Sequence, residues 1–573
     1  MIHELAKLAS VPSLFDRLKS LWLMMGLPGR FLLIAVVLCL IAALAVAVLR
    51  RLGRAGLQGI LWGVTGSSLV GLLVFGVWSV RLPDNRIGVF EAWQQVVRVG
   101  AALSATLFVL GVLGLSLPHL FNRLEHSGFT WMMAVRHVRT GGRNGFLSVI
   151  SVLSMLGVGV SAFALCAVIS IMGGFGADLK RKILGNNAHV RIEAPSVGGF
   201  EGWDSALQRV RQVPGVAAAS PVVAGEAMAS SSSNTAGVLL RGVDASTIRD
   251  VIDLGKNIEV GRFEFLEEPS KLLHLDASEP IGIGTKGQVF LKGPDYPPMA
   301  ETESAGPAEL RPGIILGREL ARSLRVFVGD EVTLVSPLGD LGPMGVLPRS
   351  RTFRVAAIFY SGMYEYDASY AYVLLAAGQE FLDLGKRITG IDVRVSEAER
   401  ADTLTPSIRA ALARPDLKVR HWQELNKNLF SALKLEKIAT FIILSIAIAV
   451  ASFCIICTLL LMVTEKSREI AILKSIGASD GAILSVFMTE GVIIGAIGTG
   501  FGILTGWVAM TGLERFGVRL DPEVYYVDRL PVSVDWRDYA LVALAALVIT
   551  TLATIYPALA ASQLRPVDGI RYE

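Results

Sequence analysis

Residues 463–479 read "VTEKSREIAILKSIGAS" and stand between two long apolar runs near the C-terminus. Five ionisable side chains, Glu465, Lys466, Arg468, Glu469 and Lys474, fall on a short helical pattern. On a helix, Ile470, Leu473 and Gly477 share a face, with Ile472 and Ile476 close beside it. Glu465 precedes Arg468 by three positions, a spacing at which the two can pair. Gly477 is a natural stop because glycine takes up a left-handed backbone without steric cost, and Ser479 can cap the next helix. The pattern predicts a short rigid helix with an apolar seam and a charged face. A rigid helix can pass force to a partner, which a floppy loop cannot.

Working outward, the whole chain is apolar. Of 573 residues 52% are hydrophobic and 18% charged, with a mean hydropathy of +0.53; a soluble protein carries about 25% charged residues. A membrane span needs about 20 apolar residues. Seven runs qualify, near 31–49, 55–80, 99–117, 146–172, 438–463, 482–511 and 538–557. Basic flanks orient them. Arg50, Arg51 and Arg54, then Arg123, Arg136, Arg139 and Arg143, then Lys466, Arg468 and Lys474 are mutually consistent when all face the cytoplasm. Parity then sends residues from about 175 to 436, and the short loop 513–536, to the far side. It also puts residues 1–29 outside despite Lys7, Arg17, Lys19 and Arg30, unless residues 10–30 lie in the interface as an amphipathic helix. The first apolar run starts at Phe31 with no cleavage site after it, so no cleavable signal peptide is expected. Just before the fourth run, "WMMAVRHVRTGGRN" (131–144) sets Trp131, Val135 and Val138 on one stripe and Arg136, Arg139 and Arg143 on another, as a helix along the inner membrane surface would.

The external segment alternates as strands do in "AHVRIEA" (188–194), "TFRVAAIFY" (352–360) and "GIDVRVS" (390–396). "HVRIEA" leads through a helical "WDSALQRVRQVPG" to "VAAASPVV", and "IDVRVSE" leads through "DTLTPSIRAALARPD" to "LKVRHW". Two β-α-β units from the two ends predict one α+β body near the membrane, with a second, strand-rich subdomain between them. The segment has no cysteine, so a core must stabilise it, and its length is sufficient.

Chemistry-bearing motifs are scarce. Net charge is +4, from 54 basic and 50 acidic residues, which gives no footprint for nucleic acid. Cys39, Cys166, Cys454 and Cys457 all lie in apolar runs, so Cys454-x-x-Cys457 reads as packing, not as a metal or redox pair. "GIGTKG" (282–287) fits G-x-G-x-x-G but is followed by a strand and a Pro-rich turn where the dinucleotide fingerprint needs a helix. Ser230–Ser233 read as a flexible loop, and the seven histidines do not pair at ligand spacing. No catalytic constellation and no metal site are expected. In the sixth run, Gly491/Gly495, Gly498/Gly502 and Gly502/Gly506 recur at four-residue intervals. Two helix backbones can approach closely there, within the chain or at a subunit interface.

One span, a large external domain and three further spans make a pattern that resembles the permease subunits of MacB/FtsX-type (type VII) ABC systems. Within these, "FLSVISVLSMLGVGVSAFALCAVISIMGGFGADLKRKILGNNAHVRI" (146–192) resembles the start of the lipoprotein-releasing permeases LolC and LolE. So do "WQELNKNLFSALKLEKIATFIILSIAIAVASFCIICTLLLMVTEKSREIAILKSIGAS" (422–479), "PEVYYVDRLPV" (522–532) and the closing "RPVDGIRYE". The resemblance covers about 130–573. It implies an α-helical membrane protein of about seven transmembrane helices with a large α+β periplasmic domain.

The division it implies is a segment 1–29, a three-helix extension 30–118, a cytoplasmic elbow 119–145 and a first core span 146–175. A periplasmic domain 176–436 follows, then a second core span 437–464, a coupling helix 465–481 and a third core span 482–512. A periplasmic loop 513–536, a fourth core span 537–557 and a cytoplasmic tail 558–573 complete the chain. The three-span extension has no counterpart in the family pattern.

The resemblance also implies a machine. Two permeases, identical or one of them LolE-like, pair with a cytoplasmic LolD-like ATPase dimer, which binds the ATP and Mg; this chain carries no cofactor and is not an enzyme. Coupling would use Glu465, Lys466, Arg468, Glu469, Lys474, Gly477 and Ala478. A triacylated lipoprotein would be taken from the lipids of the bacterial inner membrane and handed to a periplasmic LolA-like carrier. Its acyl chains would run near Ile169, Met172, Ile438 and Ile442. "SPLGDLGPMGVLPRSRTF" (336–353) lies where the carrier-binding hook should be, with Pro343, Met344, Gly345, Pro348, Arg349 and Phe353 as its residues. Prolines there would stiffen a hairpin and deny donors to a stray strand. The alternative is an FtsX-like subunit that passes ATPase motion to a periplasmic cell-wall hydrolase.

Overall fold

The computed structural model describes residues 54–82, 92–126, 128–139, 146–195, 198–275, 278–283, 289–292, 311–336, 340–342, 345–520, 526–527 and 529–565. Six of its helices are long and apolar enough to cross a membrane. They lie within α1 (Arg54–Arg81), α2 (Ala92–Glu125), α4 (Phe146–Asn186), α7 (Lys427–Glu465), α9 (Asp480–Phe516) and α10 (Trp536–Ser562). The seventh predicted span, 31–49, and the segment 10–30 lie outside the described residues. Two short helices complete the membrane part: α3 (Phe129–Arg139) between α2 and α4, and α8 (Ser467–Ser475) between α7 and α9. Helix α5 (Trp203–Arg211) and helix α6 (Ala401–Leu412) belong to the globular domain.

Helix α9 is the axis of the bundle. It packs against α4, α10, α2 and α3, while α7 packs against α4 and α10. The glycine spacing explains how α9 takes so many neighbours. A Cβ on Gly491 or Gly495 would stand 1.9 and 2.5 Å from Thr554 and Thr550 of α10. One on Gly498 or Gly502 would stand 2.7 and 2.3 Å from backbone carbonyls of Met155 and Gly159 in α4. The two glycine faces therefore serve close packing within the chain. Hydroxyl pairs add to the seams: Ser154 Oγ with Thr458 Oγ1 at 2.8 Å, and Ser170 Oγ with Tyr539 OH at 2.9 Å. Cys166 is buried against α9, whereas Cys454 and Cys457 are exposed on the open face of α7.

The strands of the globular domain are β1 (Val190–Glu193), β2 (Val216–Ser230), β3 (Thr235–Val243), β4 (Ile258–Gly261), β5 (Pro280–Ile283), β6 (Val289–Leu291), β7 (Gly313–Gly317), β8 (Glu331–Val335), β9 (Asp340–Gly342), β10 (Gly345–Leu347), β11 (Ser350–Phe359), β12 (Tyr370–Leu374), β13 (Gly390–Val395) and β14 (Lys418–His421). Ten of them form one sheet in the order β14-β1-β13-β2-β3-β12-β7-β11-β4, with β8 bridging β11 and β2. The two β-α-β units meet through β1, which pairs with both β13 and β14, and through β13, which pairs with β2.

Two cores lie along this sheet. One gathers Val190, Ile192, Val210, Ile391, Ile408 and Trp422 under α5 and α6; the other gathers Leu240, Ile248, Ile315, Leu320, Phe353 and Val355. The strand-rich middle is thus not a detached sheet. The 15-residue β2 pairs with β13 over its first half and with β3 from Val222 onward, so a single strand serves both bodies. At their boundary Asp392, fully buried, bonds Arg241 at 2.7 Å and Arg191 at 3.1 Å. Burial opposes the Asp392 charge, but the two guanidinium groups outweigh it and hold the carboxyl below its ordinary range.

"GIGTKG" starts in β5, which pairs with β6 as a hairpin; its residues 284–287 lie outside the described residues.

Candidate functional site

At the end of the bundle opposite the globular domain, α7 gives way to α8 with a break at Lys466. The stop after α8 follows the sequence pattern closely. Gly477 has φ +113°, its N–H donates to Lys474 O, and the Ala478 N–H donates to Leu473 O. That pair of bonds is a Schellman closure. Ser479 caps α9, its hydroxyl accepting from Ala482 N–H.

The apolar seam divides in two. Ile470 and Ala471 are buried, with Ile470 packed among Val463, Ile483, Phe487 and Ala558. Ile472 and Ile476 stand outside, 45% and 80% exposed. The charges divide as well. Glu465, Arg468 and Glu469 face out, and Glu469 pairs with Lys466 at 2.5 Å, so the ion pair runs 466–469 where 465–468 was expected.

Lys474 does not face out, which corrects its reading as a docking charge. Its ammonium donates to Ser562 O and Leu564 O at 2.7 and 2.8 Å and pairs with Asp480 at 2.8 Å. A cation on the last carbonyls of α10 satisfies acceptors and opposes the helix dipole. Lys474 therefore anchors α8 to the bundle, and Gly477 and Ala478 shape its end. Ile472 and Ile476, which are not among the residues expected for coupling, add an apolar pair to the exposed face of α8. Their i,i+4 spacing was visible, but which side of the helix the bundle covers was not.

Helix α3 seats beside this region. Ala134 and Val135 are buried against α2 and α9, so its inner stripe packs on protein. His137 of α3 reaches Glu490 of α9 at 3.4 Å; Glu490 is fully buried. The His137 ring lies 6.0 Å from that of Phe487. A cleft opens between α3 and α8, lined by Phe129, Met133 and His137 on one side and Lys466, Ile470 and Leu473 on the other.

At the other end, β9 and β10 form a separate two-stranded hairpin carried on the β8–β11 ladder. Pro343 and Met344, the predicted tip, lie outside the described residues, and Gly345 opens β10. Pro348 is exposed. Arg349 pairs with Asp383 at 3.0 Å and Arg351 with Glu380 at 2.6 Å, which ties the hairpin's base to the domain. The hydrogen bond and charge of Arg349 hold the Asp383 carboxyl below its usual range. Phe353 corrects another expectation. It is fully buried, edge-on to Phe381 at 6.4 Å, and is a core anchor, not a contact residue.

The four residues proposed for an acyl path do not share a surface. Ile169 is buried among Leu165, Ile448 and Val542, and Met172 is half-buried. Ile438 and Ile442 open outward from α7, at 48% and 53% exposure.

The FtsX-like permease C-terminal model matches residues 441–566, and the MacB-like periplasmic core domain model matches residues 151–277. The lipoprotein-releasing system transmembrane protein LolC of Neisseria meningitidis serogroup B is 31% identical over 453 residues, covering 77% of this chain and 98% of that protein. This chain belongs to the LolC/LolE family of lipoprotein-releasing permeases. A LolC of Xylella fastidiosa is 30% identical over 450 residues, and a LolE of Haemophilus influenzae 26% over 447, covering 97% of that protein. The solved periplasmic region of MacB from Actinobacillus actinomycetemcomitans aligns with 43% of this chain and 94% of its own length, at 12% identity and a TM-score of 0.24. As a member of the family the chain is a membrane-embedded ABC permease subunit.

Proposed function

We propose that this chain is the permease of an ATP-driven complex that extracts outer-membrane-directed lipoproteins from the bacterial inner membrane and passes them to a periplasmic carrier. The observation that carries this reading is similarity to LolC over nearly the whole of that protein's length. A separate cytoplasmic LolD-like ATPase dimer binds the ATP and Mg and presses on α8, where Ile472, Ile476, Glu465, Arg468 and Glu469 form the exposed face. Helix α7 runs without interruption from that face to Lys427 beside the globular domain, so a push on α8 is delivered to the domain. The β9–β10 hairpin receives a LolA-like carrier. A second permease, another copy or a LolE-like chain, completes the dimer, and the triacylated substrate enters from the lipid beside Ile438 and Ile442. The FtsX-like alternative is less supported, since the relatives covered almost end to end are lipoprotein-releasing permeases.

The test is reconstitution. Proteoliposomes holding this chain, its partner permease and the ATPase, loaded with a triacylated lipoprotein, should transfer it to added carrier only when ATP is supplied. ATP hydrolysis without any transfer, in the presence of carrier, would refute the reading.

A further inference from the structure

The helices α1 and α2 lie outside the stretch that resembles the family, and the LolC match leaves about a quarter of this chain uncovered. Their placement is specific. Helix α2 packs on α9, with a Cβ at Gly512 standing 3.5 Å from Ala102. Trp78 of α1 and Trp93 of α2, 6.1 Å apart, are half exposed near the domain-side ends of their helices. Exposed tryptophans at that height mark a bilayer interface.

At the same level Arg98 of α2, 3% exposed, donates from Nη1 to Gly517 O at 2.8 Å, at the C-terminal end of α9. Gln95 Oε1, one turn earlier, accepts from Arg519 N–H at 2.8 Å. The segment so held is paired in turn. Leu530 N–H donates to Val518 O at 2.8 Å, and Arg519 bridges to Arg529 in antiparallel fashion. The chain then crosses α4: Ser533 N–H donates to Ser170 O at 3.0 Å, and a Cβ on Gly174 would stand 2.3 Å from Pro531 O. Beyond Gly174, α4 continues without a break to Asn186, where its amide donates to Ser361 O in the globular domain.

We propose that α1 and α2 form a brace which, through Gln95 and Arg98, holds residues 517–519 and 529–533 and so fixes the domain-side end of α4 against α9. The contacts run unbroken from the extension to the helix that enters the globular domain. A cation on the last carbonyl of α9 also opposes that helix's dipole, so the brace grips α9 where its backbone acceptors are otherwise unsatisfied. The brace sets how far α4 and the globular domain swing during a transport cycle. That consequence rests on the function proposed above; the grip itself does not.

The experiment uses the full chain with its partners in nanodiscs. Arg98→Met and Gln95→Leu keep side-chain bulk and remove the two bonds, and Ser116→Ala, on an exposed position of α2, is the control. Hydrogen exchange at 517–519 and 529–533 should quicken roughly tenfold in Arg98→Met, as loss of a hydrogen bond to a charged donor predicts. Exchange in α8 should not change, and Arg98→Lys should restore most of the protection. ATP consumed per lipoprotein released should rise at least about twofold in the same variants. Unchanged exchange overturns the grip, and faster exchange with an unchanged ATP ratio overturns the brace as part of the cycle. If the native complex releases no lipoprotein while the exchange result holds, the function reading fails and the grip stands. A variant that does not insert is recognised by lost protection in α8, and Gln95→Leu, which leaves the buried guanidinium in place, then decides the question.

Discussion

Glu490 shows what one buried group contributes at the α3–α8 end of the bundle. It is wholly enclosed by protein, and His137 is the polar side chain that reaches it, at 3.4 Å. Removing one polar member of a buried contact leaves the other unsatisfied and costs roughly 1–3 kcal/mol, whereas replacing both by apolar groups of similar shape is often near neutral. His137→Leu should therefore lower the thermal midpoint of the detergent-solubilised protein clearly, and His137→Leu with Glu490→Leu should recover most of the loss. A double variant as weak as the single one would show that the pair does not stabilise the seat of α3. In the globular domain, Asp367 is buried, and burial lifts its carboxyl to about 6, although Ser361 N–H at 2.8 Å and Arg318 act the other way. A raised folded value means the native state holds its proton when the unfolded chain has lost it. Stability therefore falls as pH rises from about 4 to about 6 and is level above that. At pH 7.5 the cost is on the order of 3 kcal/mol, so Asp367→Asn should raise the midpoint there and flatten the slope between pH 4 and 6. A steeper slope in Asp367→Asn would contradict this.

At the scale of the element, α8 was legible where its chemistry is local and illegible where it is not. Gly477 and Ser479 act within a few residues of themselves, so sequence spacing reveals both. Lys474 bonds carbonyls 88 and 90 positions away, which no pattern around residue 474 discloses. The same holds for the hairpin: prolines, a glycine and a methionine announce β9–β10, but the burial of Phe353 depends on Phe381 in a distant helix. The exposed face of α8 makes a definite demand. Ile472→Asp with Ile476→Asp should insert and fold normally, since both side chains are outside the bundle, yet should cut ATP-driven release at least about tenfold by removing the apolar contact. Release assayed beside membrane content separates these; normal release would exclude this face as the docking surface. On the hairpin, Met344→Asp should weaken capture of the carrier, measured by pull-down. Phe353→Ala should instead destabilise the domain by about 3–5 kcal/mol, as large-to-small core changes do.

Over the whole molecule, the run of spans, the large inserted domain and the charged loop between spans could be read from hydropathy and basic flanks because those signals are continuous along the chain. The ten-stranded sheet could not, because β2, which pairs locally with β3, also pairs with β13, whose residues lie more than 160 positions away in sequence. For the function proposed above the sheet is the link: β2 is common to both cores and also pairs with β8, which carries the hairpin. On the function proposed above helix α7 is the input: it begins beside Trp422, whose ring is edge-on to Phe430 at 5.3 Å, and ends at α8. Inserting Gly-Gly-Ser-Gly after Lys434, above the Lys437–Asp538 pair, breaks the rod while leaving both ends folded. ATP hydrolysis should persist and release should fall at least about tenfold. An insertion of four alanines at the same place lengthens the rod by about 6 Å and turns it by roughly 40° but keeps it stiff, so it should retain more release than the glycine insert. Equal loss in both would mean that facing, not stiffness, is what α7 supplies, and full release with the flexible insert would mean that force reaches the globular domain through α4 alone.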